Sequence, residues 1–319
     1  MRTSKSPAQI LKTALAVGRK ALRTYSHRFS PKTFTQPQLF ACLVLKESLK
    51  LDYRGVSALL DDTPSLREAI GLAQAPHFTT LQKASKRLLK LRRVQRLLDQ
   101  TLVRARQFKL LKKRVDLAAI DSSGFEAQHA SRYFVKRREK GGEFREKTHR
   151  LTYRHFPKLA LLCDCRSHLV LSAHAERGPC PDFDNLDPVF TQASRRVPIR
   201  TLLADAGYDA EWVHMFVRLV FGTRTIIPAE HGRPSAVPPV GYHRRLMRRR
   251  LNKTKYGQRW QVETAISMIK RRLSETTGAR TYHSQSRALM LKVLAHNILL
   301  VALVIKVFYR AGHSWFLKK

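Results

Sequence analysis

The chain has 319 residues, of which 61 are Lys or Arg and 23 are Asp or Glu, so its formal net charge is +38. A hydrophobic fraction of 43% is enough for a sizeable core and excludes a disordered basic tail, and the length allows one large domain or two ordinary ones. The charge favours a nucleic-acid partner, with an anionic membrane surface as the alternative, because binding a polyanion relieves self-repulsion and releases condensed counterions.

The first 33 residues are rich in Lys and Arg, and no acidic residue occurs before Glu47. We expect residues 1–33 to form a basic N-terminal arm with a helix from about Pro7 to Tyr25. Two interpretations stay open for this arm, because basic blocks serve either as DNA-embracing segments or as solvated, partly disordered tails. No secretory signal is expected, since the first thirty residues contain no uncharged apolar segment.

Residues 34–114 follow a helical pattern and are expected to form a helical DNA-binding domain. The predicted helices are Gln36–Lys50, Tyr53–Leu60, Ser65–Ile70 and Leu81–Leu91. The last of them has a strongly basic polar side. Short helices followed by a basic one suit a helix-turn-helix-like module, and a small helical bundle of another kind has the same pattern.

From Val115 the pattern changes to strands alternating with helices, which predicts a mixed α/β sheet with helices packed on it over residues 115–309, followed by a tail at 310–319. The predicted elements are a strand Val115–Ile120, a hairpin of Lys158–Cys165 and His168–Ala175, a helix Leu186–Ala193, a strand Arg200–Ala204, a helix Glu211–Phe221 capped by Asp209, a strand Thr225–Pro228, a basic loop His231–Lys255, and the helices Tyr256–Glu275 and Gln285–Tyr309. The apolar stretch 288–309 is interrupted by polar residues, so we interpret it as a buried core helix and not a membrane span. The four cysteines are expected to be free thiols.

Two aspartates follow apolar strands, Asp121 after Ala118–Ile120 and Asp205 after Leu202–Ala204. Ligands collect at strand ends in α/β sheets, but each aspartate taken singly is better explained as a turn or cap residue. A third acid, Glu263, lies on a predicted helix whose opposite face is apolar, so that helix can pack on the sheet and present Glu263 toward the strand ends. Three carboxylates sharing a crevice would repel one another unless they held hard cations such as Mg²⁺. Two such ions can activate an attacking oxygen and stabilise the leaving oxygen at a phosphodiester.

The helix that carries Glu263 also contains a longer pattern. Tyr256, Arg259, Glu263 and Lys270 reproduce the spacing Y-x₂-R-x₃-E-x₆-K. With the flanks of Asp121 (Ile-Asp-Ser-Ser) and of Asp205 (Ala-Asp-Ala-Gly-Tyr-Asp), this pattern resembles bacterial insertion-sequence transposases of the DDE class. The resemblance covers about residues 115–303.

The resemblance implies an RNase H-like (retroviral-integrase-like) mixed sheet flanked by helices, preceded by an all-helical N-terminal domain. It implies that Asp121, Asp205 and Glu263 are catalytic ligands of Mg²⁺, for which Mn²⁺ may substitute, and that Tyr256, Arg259 and Lys270 contact phosphates. The expected reaction is DNA cleavage at transposon ends and 3′-OH strand transfer into target DNA. The expected partners are double-stranded DNA, both terminal inverted repeats and target, and a second copy of the chain in the complex with DNA ends. We expect a prokaryotic-type, cytoplasmic, nucleoid-associated protein with no membrane partner.

Two basic clusters complete the predictions. The one just before the signature helix is expected to contact the DNA backbone through Arg244, Arg245, Arg248, Arg249, Arg250 and Lys253. The other, residues 136–147, contains interleaved acids and is expected to be a solvated face or mobile loop. Two alternatives stay open for the function: an inactive or domesticated transposase-derived DNA-binding protein, and an RNase H-like nuclease.

Overall fold

The computed structural model describes residues 3–127, 156–229 and 238–310. The basic cluster at 136–147, residues 231–237 of the predicted basic loop, and all of the predicted tail except Arg310 lie outside the described residues.

The N-terminal part of the chain consists of helices, of which the first five are close to those predicted and the sixth lies where only a helical pattern was predicted. They are α1 (Pro7–Ala21), α2 (Gln36–Ser48), α3 (Tyr53–Asp62), α4 (Pro64–Glu68), α5 (Phe78–Leu88) and α6 (Leu91–Gln107). Local signals explain where they begin. Thr35 and Gln38 form a reciprocal capping box at the start of α2, and Pro64 occupies the first turn of α4.

Helix α1 does not fit the interpretation of the basic arm as a solvated tail, and contact of the arm with DNA stays a prediction. Its apolar side, which includes Leu11 and Ala14, is completely buried, and the helix packs against α2, α6 and the C-terminal helix. The basic residues of α1 lie on its exposed side. Charge alone was therefore a poor guide to these residues, since a helix can bury one face while its other face carries the Lys and Arg side chains.

The second half of the chain forms a five-stranded mixed sheet, as predicted. Its strands are β1 (Ala118–Gly124), β3 (Phe156–Asp164), β4 (Val170–Gly178), β5 (Thr201–Leu203) and β6 (Arg224–Ile226), in the order β4-β3-β1-β5-β6. The predicted hairpin is confirmed, because β3 and β4 pair antiparallel across a turn at residues 165–167. β1 is antiparallel to β3 and parallel to β5, and β5 is parallel to β6. A separate ribbon pairs β2 (Glu126–Ala127) with β7 (Thr276–Thr277).

Helices cover both faces of this sheet. They are α7 (Leu186–Arg196), α8 (Glu211–Met215, continued by a π-helical turn at Phe216–Val220), α9 (Tyr242–Arg250), α10 (Lys253–Tyr256), α11 (Trp260–Leu273) and α12 (Tyr282–Arg310). The prediction of a basic loop up to Lys255 was wrong for residues 242–250, which form α9. Glu211 of α8 stabilises the start of α9. Its carboxylate accepts hydrogen bonds from the N–H groups of His243 and Arg244 at 3.0 and 3.1 Å and so caps the first turn of α9. Gly241 permits this contact, since a Cβ atom there would lie 2.2 Å from the Glu211 carboxylate.

Helix α12 joins the two halves of the chain. It packs against α1, α2 and α6 on one side and against β3, β4 and α11 on the other. Its polar residues make internal contacts. Lys292 pairs with Glu47 at 2.7 Å, His296 contacts the His168 carbonyl at 2.9 Å, and Asn297 bonds both backbone groups of Val170 at 2.9 Å on the edge strand β4. α12 is long and apolar enough to cross a membrane by length and composition, but 83% of its most apolar window is buried in the fold, which agrees with a core helix.

The core lies on both faces of the sheet. One apolar cluster contains residues of α1, α2 and α5 together with α11, α12 and one face of β1 and β3. The other contains the end of α6, α7, α8 and the opposite face of the sheet. All four cysteines are free, as predicted.

Candidate active site

The first predicted acid, Asp121, lies in the middle of β1 and not at its end, so the expectation of a strand-terminal residue was wrong here. β1 continues to Gly124, because its residues up to Gly124 remain paired with β3. On its other edge, however, β1 pairs with β5 only at Ala118 and Ala119. Asp121 therefore lies just beyond the point where the parallel ladder ends, which opens a crevice beside it.

The second acid, Asp205, is separated from the end of β5 by one residue, Ala204, and lies at the same end of the two parallel strands. Its Oδ1 accepts the N–H of Gly207 at 3.0 Å and caps the short turn Ala206–Tyr208. Gly207 allows this close approach, since a Cβ atom at that position would lie 3.0 Å from the same oxygen. Asp205 is thus a cap residue as well as a candidate ligand.

The third acid, Glu263, lies in the first turn of α11, and its side chain is 52% exposed. The opposite face of α11 is buried as predicted, through Val262, Ile266, Ile269 and Leu273. A contact of 2.5 Å between the Gln261 amide and His168 in the β3–β4 turn ties the start of α11 to the sheet. Packing on the sheet therefore directs Glu263 toward Asp121.

Asp121 and Glu263 line one open cleft of about 320 Å³. Lys270, one of the predicted phosphate contacts, also lines it, and its ammonium lies 5.2 Å from the centre of the Phe125 ring. The remaining lining residues are Ser122, Ser123, Ile266, Ser267, Arg271 and Glu275.

Asp121 is the acid whose ionisation the fold disturbs. Burial is the largest cause and, with the negative charges of Asp205 and Asp182, raises the pKa of Asp121 to about 6, against the opposing effects of the Ser122 N–H and Arg259. This carboxyl group is costly to ionise because it is buried and two other acids lie beside it. A cation bound there would favour its ionised form.

Arg259 lies between two of the three acids. Its guanidinium bonds the Glu263 carboxylate, and its second terminal nitrogen is 3.8 Å from Asp121 Oδ2. Burial alone would lower the pKa of Arg259, but the carboxylate of Glu263, followed by Tyr256 and then Asp121, raises it.

The donor set suits a hard divalent cation in its chemistry, because all three acids offer carboxylate oxygens. Its geometry is not that of a preformed site, since within the described ranges no three Asp, Glu, His or Cys side chains are grouped closely enough to hold a metal ion. Arg259 occupies space beside Asp121 and Glu263 instead.

Tyr256, the remaining residue of the signature, is half-buried at the end of α10. Burial raises the pKa of its phenol, Arg259 opposes this, and the charge of Asp205 adds to it, so Tyr256 lies within electrostatic reach of the acids. The predicted continuous helix from Tyr256 is instead a short α-helix and a 3₁₀ turn (Gly257–Arg259) that lead into α11.

The basic cluster before the signature helix divides into two kinds of side chain. Arg244 forms a two-point ion pair with Asp209, at 3.0 and 2.8 Å, and the Asp209 side chain is completely buried. This contact holds α9 against α8, and Asp209 does not cap α8 as predicted, since Ala210 occupies the cap position. The other predicted DNA contacts are exposed on the surface: Arg245, Arg248, Arg249, Arg250 and Lys253.

Two residues beside the site had no signal in the sequence. Asp182, in a 3₁₀ turn after β4, accepts a hydrogen bond from the Ser122 hydroxyl and an ion pair from Lys158 of β3 at 2.7 Å. The Lys158 side chain is 9% exposed, so its charge is held inside the fold next to the acids. Only the pairing of β1 with β3 brings Lys158 opposite Gly124 and within reach of this turn.

The family model for the transposase DDE domain matches residues 112–298. The chain belongs to this transposase family. The matched range contains the sheet, all three predicted acids and most of α12, and it supports a transposase function on DNA. No curated protein matches the chain.

Proposed function

We propose that this chain is an enzyme that cuts DNA at the ends of its own element and joins the freed 3′-OH to target DNA. The observation that carries the proposal is the charge coupling of Asp121 and Asp205 at one end of two parallel strands, together with the cleft that Asp121 shares with Glu263 of α11. Family membership supports the same reaction class.

The proposal includes an RNase H-like sheet of the retroviral-integrase type. The strand order β4-β3-β1-β5-β6 supports this fold. In that order β4, β3 and β1 pair antiparallel, whereas β1, β5 and β6 pair parallel. It also includes the signature group defined by Tyr256, Arg259, Glu263 and Lys270, all four of which lie at or near the cleft.

Asp121, Asp205 and Glu263 would hold Mg²⁺, or Mn²⁺ in its place. When bound, such ions supply Lewis-acid stabilisation of the attacking and leaving oxygens at the phosphodiester. The acids accept this charge readily, because the raised pKa of Asp121 reports a negative site without enough internal compensation. Glu263 would be free to hold such an ion once its carboxylate is released by Arg259.

Arg259 has a natural second partner in the substrate. Its guanidinium can exchange the Glu263 carboxylate for a DNA phosphate, since both anions fit the same planar donors. Lys270 at the cleft wall and the Tyr256 hydroxyl would orient neighbouring phosphates. The incoming backbone would therefore free the acid that the reaction needs.

The exposed basic residues of α9 and α10 would bind the DNA backbone beside the site and so guide a terminal inverted repeat toward the acids. A homodimer is proposed because two element ends must be processed together. A cytoplasmic, nucleoid-associated location follows from the same proposal, with no membrane partner.

The test is a cleavage assay on duplex DNA that carries the sequences flanking the coding region, with Mg²⁺ or Mn²⁺. Wild type should nick the element ends and join them to a target plasmid, Glu263→Gln should do neither, and the exposed Asp116→Asn should behave as wild type. Equal DNA affinity with no cleavage under either metal would favour an inactive DNA-binding protein. Cleavage without joining would favour a nuclease.

A further inference from the structure

A second, larger groove lies between the N-terminal helices and the segment that follows α11. It encloses about 810 Å³ and is open to the surface. One wall is formed by the end of α2, the start of α3 and one side of α5, and the other by residues 273–284 and the first turns of α12.

The lining of this groove is strongly positive. It contains six cationic side chains: Lys46, Lys50, Lys86, Arg280, Arg287 and Lys292. Its two acids are already engaged. Glu47 accepts Lys292 at 2.7 Å and Lys46 at 3.4 Å, and Asp52 accepts the Gly55 N–H at 2.6 Å at the start of α3.

Three of the cations are available to a ligand. Within the described part of the chain, Lys86, Arg280 and Arg287 form no ion pair. Hydroxyl groups lie among them, from Ser85, Ser274, Thr276, Thr277, Thr281 and Ser284. Lys and Arg with interspersed hydroxyl donors are the side chains that contact sugar-phosphate backbones.

The groove and the active-site cleft both adjoin the C-terminal end of α11. Arg271 and Glu275 line the cleft, whereas Leu273 and Ser274 line the groove, so the two meet at the end of that helix. The ammonium of Lys50 on the far wall donates to the Arg271 carbonyl at 2.9 Å and links the walls at this point.

The length of α11 sets the spacing along a bound strand. The ten residues from Glu263 to Leu273 span roughly 15 Å of helix, which corresponds to about four to five nucleotides of one DNA strand.

We propose that this groove binds the backbone of a DNA strand about four to five nucleotides from the phosphodiester in the cleft, so that one chain holds both segments. The position of the scissile phosphodiester rests on the proposed function, whereas DNA binding by the groove does not. Two sources offer the same backbone, an element end and target DNA.

The first test is DNA binding without a divalent metal, measured by fluorescence anisotropy over a range of salt concentrations. The groove variant is Lys86→Ala with Arg280→Ala and Arg287→Ala. The matched control removes three exposed cations that do not line the groove, Lys113 ahead of β1 together with Arg195 and Arg224.

We expect the groove variant to lose roughly tenfold in affinity for a duplex and its log–log salt slope to fall by about two to three, whereas the control keeps wild-type values. Equal losses in both variants, or no loss in the groove variant, would overturn the proposal. Thermal unfolding checks that each variant is folded. If the triple variant is not, Arg280→Gln and Arg287→Gln tested singly should each weaken binding about two- to threefold.

The second test uses neutral methylphosphonate linkages placed singly along the strand. Replacement about four to five nucleotides from the nick should weaken wild type but not the groove variant, because the charge partner is already gone in the latter. Comparing an element-end duplex with a random duplex distinguishes the two sources. If neither DNA is nicked but the groove variant still loses affinity selectively, the proposed function fails and the groove inference stands.

Discussion

The substitution Asp121→Asn should make the metal-free protein more stable. Folding raises the pKa of Asp121 from 3.8 to about 6, so above that pH the ionised carboxylate opposes folding by about 1–3 kcal/mol. The side chain is only 17% exposed, so solvent screens little of this effect. Asparagine keeps the oxygen that accepts the Ser122 N–H at 2.7 Å while it removes the charge.

The pH dependence of this gain has a defined sign. Because the folded pKa lies above the unfolded one, the stabilising contribution of wild-type Asp121 is present below 3.8 and is lost as the pH rises to about 6. The difference between variant and wild type should therefore be small near pH 4, grow up to about pH 6 and stay constant above it.

Urea unfolding followed by circular dichroism in a chelating buffer measures the effect. The control is Asp116→Asn, because that carboxylate is 53% exposed in an ion pair with Lys112 and should change stability by less than about 0.5 kcal/mol. Adding Mg²⁺ should then stabilise wild type and not Asp121→Asn. Equal stabilities of wild type and Asp121→Asn at about pH 8 in chelator would refute the electrostatic reasoning.

Three further predictions concern stability and use the same unfolding assay. Arg244→Ala should lower the free energy of unfolding by about 3 kcal/mol, because it leaves the buried Asp209 carboxylate without its ion-pair partner. Arg245→Ala, at the exposed neighbouring residue, should leave stability unchanged. Similar losses of stability in the two variants would contradict this reasoning. Lys158→Met should cost about 1–2 kcal/mol, because it leaves the partly exposed Asp182 without its cation beside the other acids. Lys158→Arg should largely retain stability, and a neutral Met variant would show that the ion pair is not formed. Burial lowers the pKa of His296 from 6.5 to about 4, so the neutral imidazole contributes about 2–3 kcal/mol to stability above pH 6.5, and this contribution is lost as the pH falls toward 4. His296→Gln should make the free energy of unfolding depend less on pH over that range. Parallel curves of stability against pH for wild type and variant would exclude this role of His296.

The sequence predicted the elements whose pattern is local. The hairpin of β3 and β4, the apolar face of α11 and the burial of α12 all follow from periodicity, and the structure confirms them. The position of Glu263 and Lys270 on one cleft, with Arg259 bonded to Glu263, was predictable from spacing, although the local bend at Gly257–Arg259 was not.

The features that the sequence did not reveal depend on contacts between distant residues. Asp121 lies in the middle of a strand because β3 continues to pair with β1 beyond it. Asp182 lies beside the site because it pairs with Lys158 of β3. Arg244 was predicted to contact DNA with its neighbours, but its ion pair with the buried Asp209 holds it against the fold. Charge patterns indicate which side chains carry charge, but not which are neutralised by residues far along the chain.

The shared core around α12 determines how the molecule can be divided. Since α1, α2 and the sheet bury their apolar faces against the same helix, removing the first 33 residues would expose a hydrophobic surface on the remaining fragment. A fragment that starts at residue 115 would lose most of the wall behind α12 and should aggregate. The N-terminal helices and the three acids belong to one packed unit, so under the proposed function any bending needed to bring a target strand to the cleft would fall on the DNA.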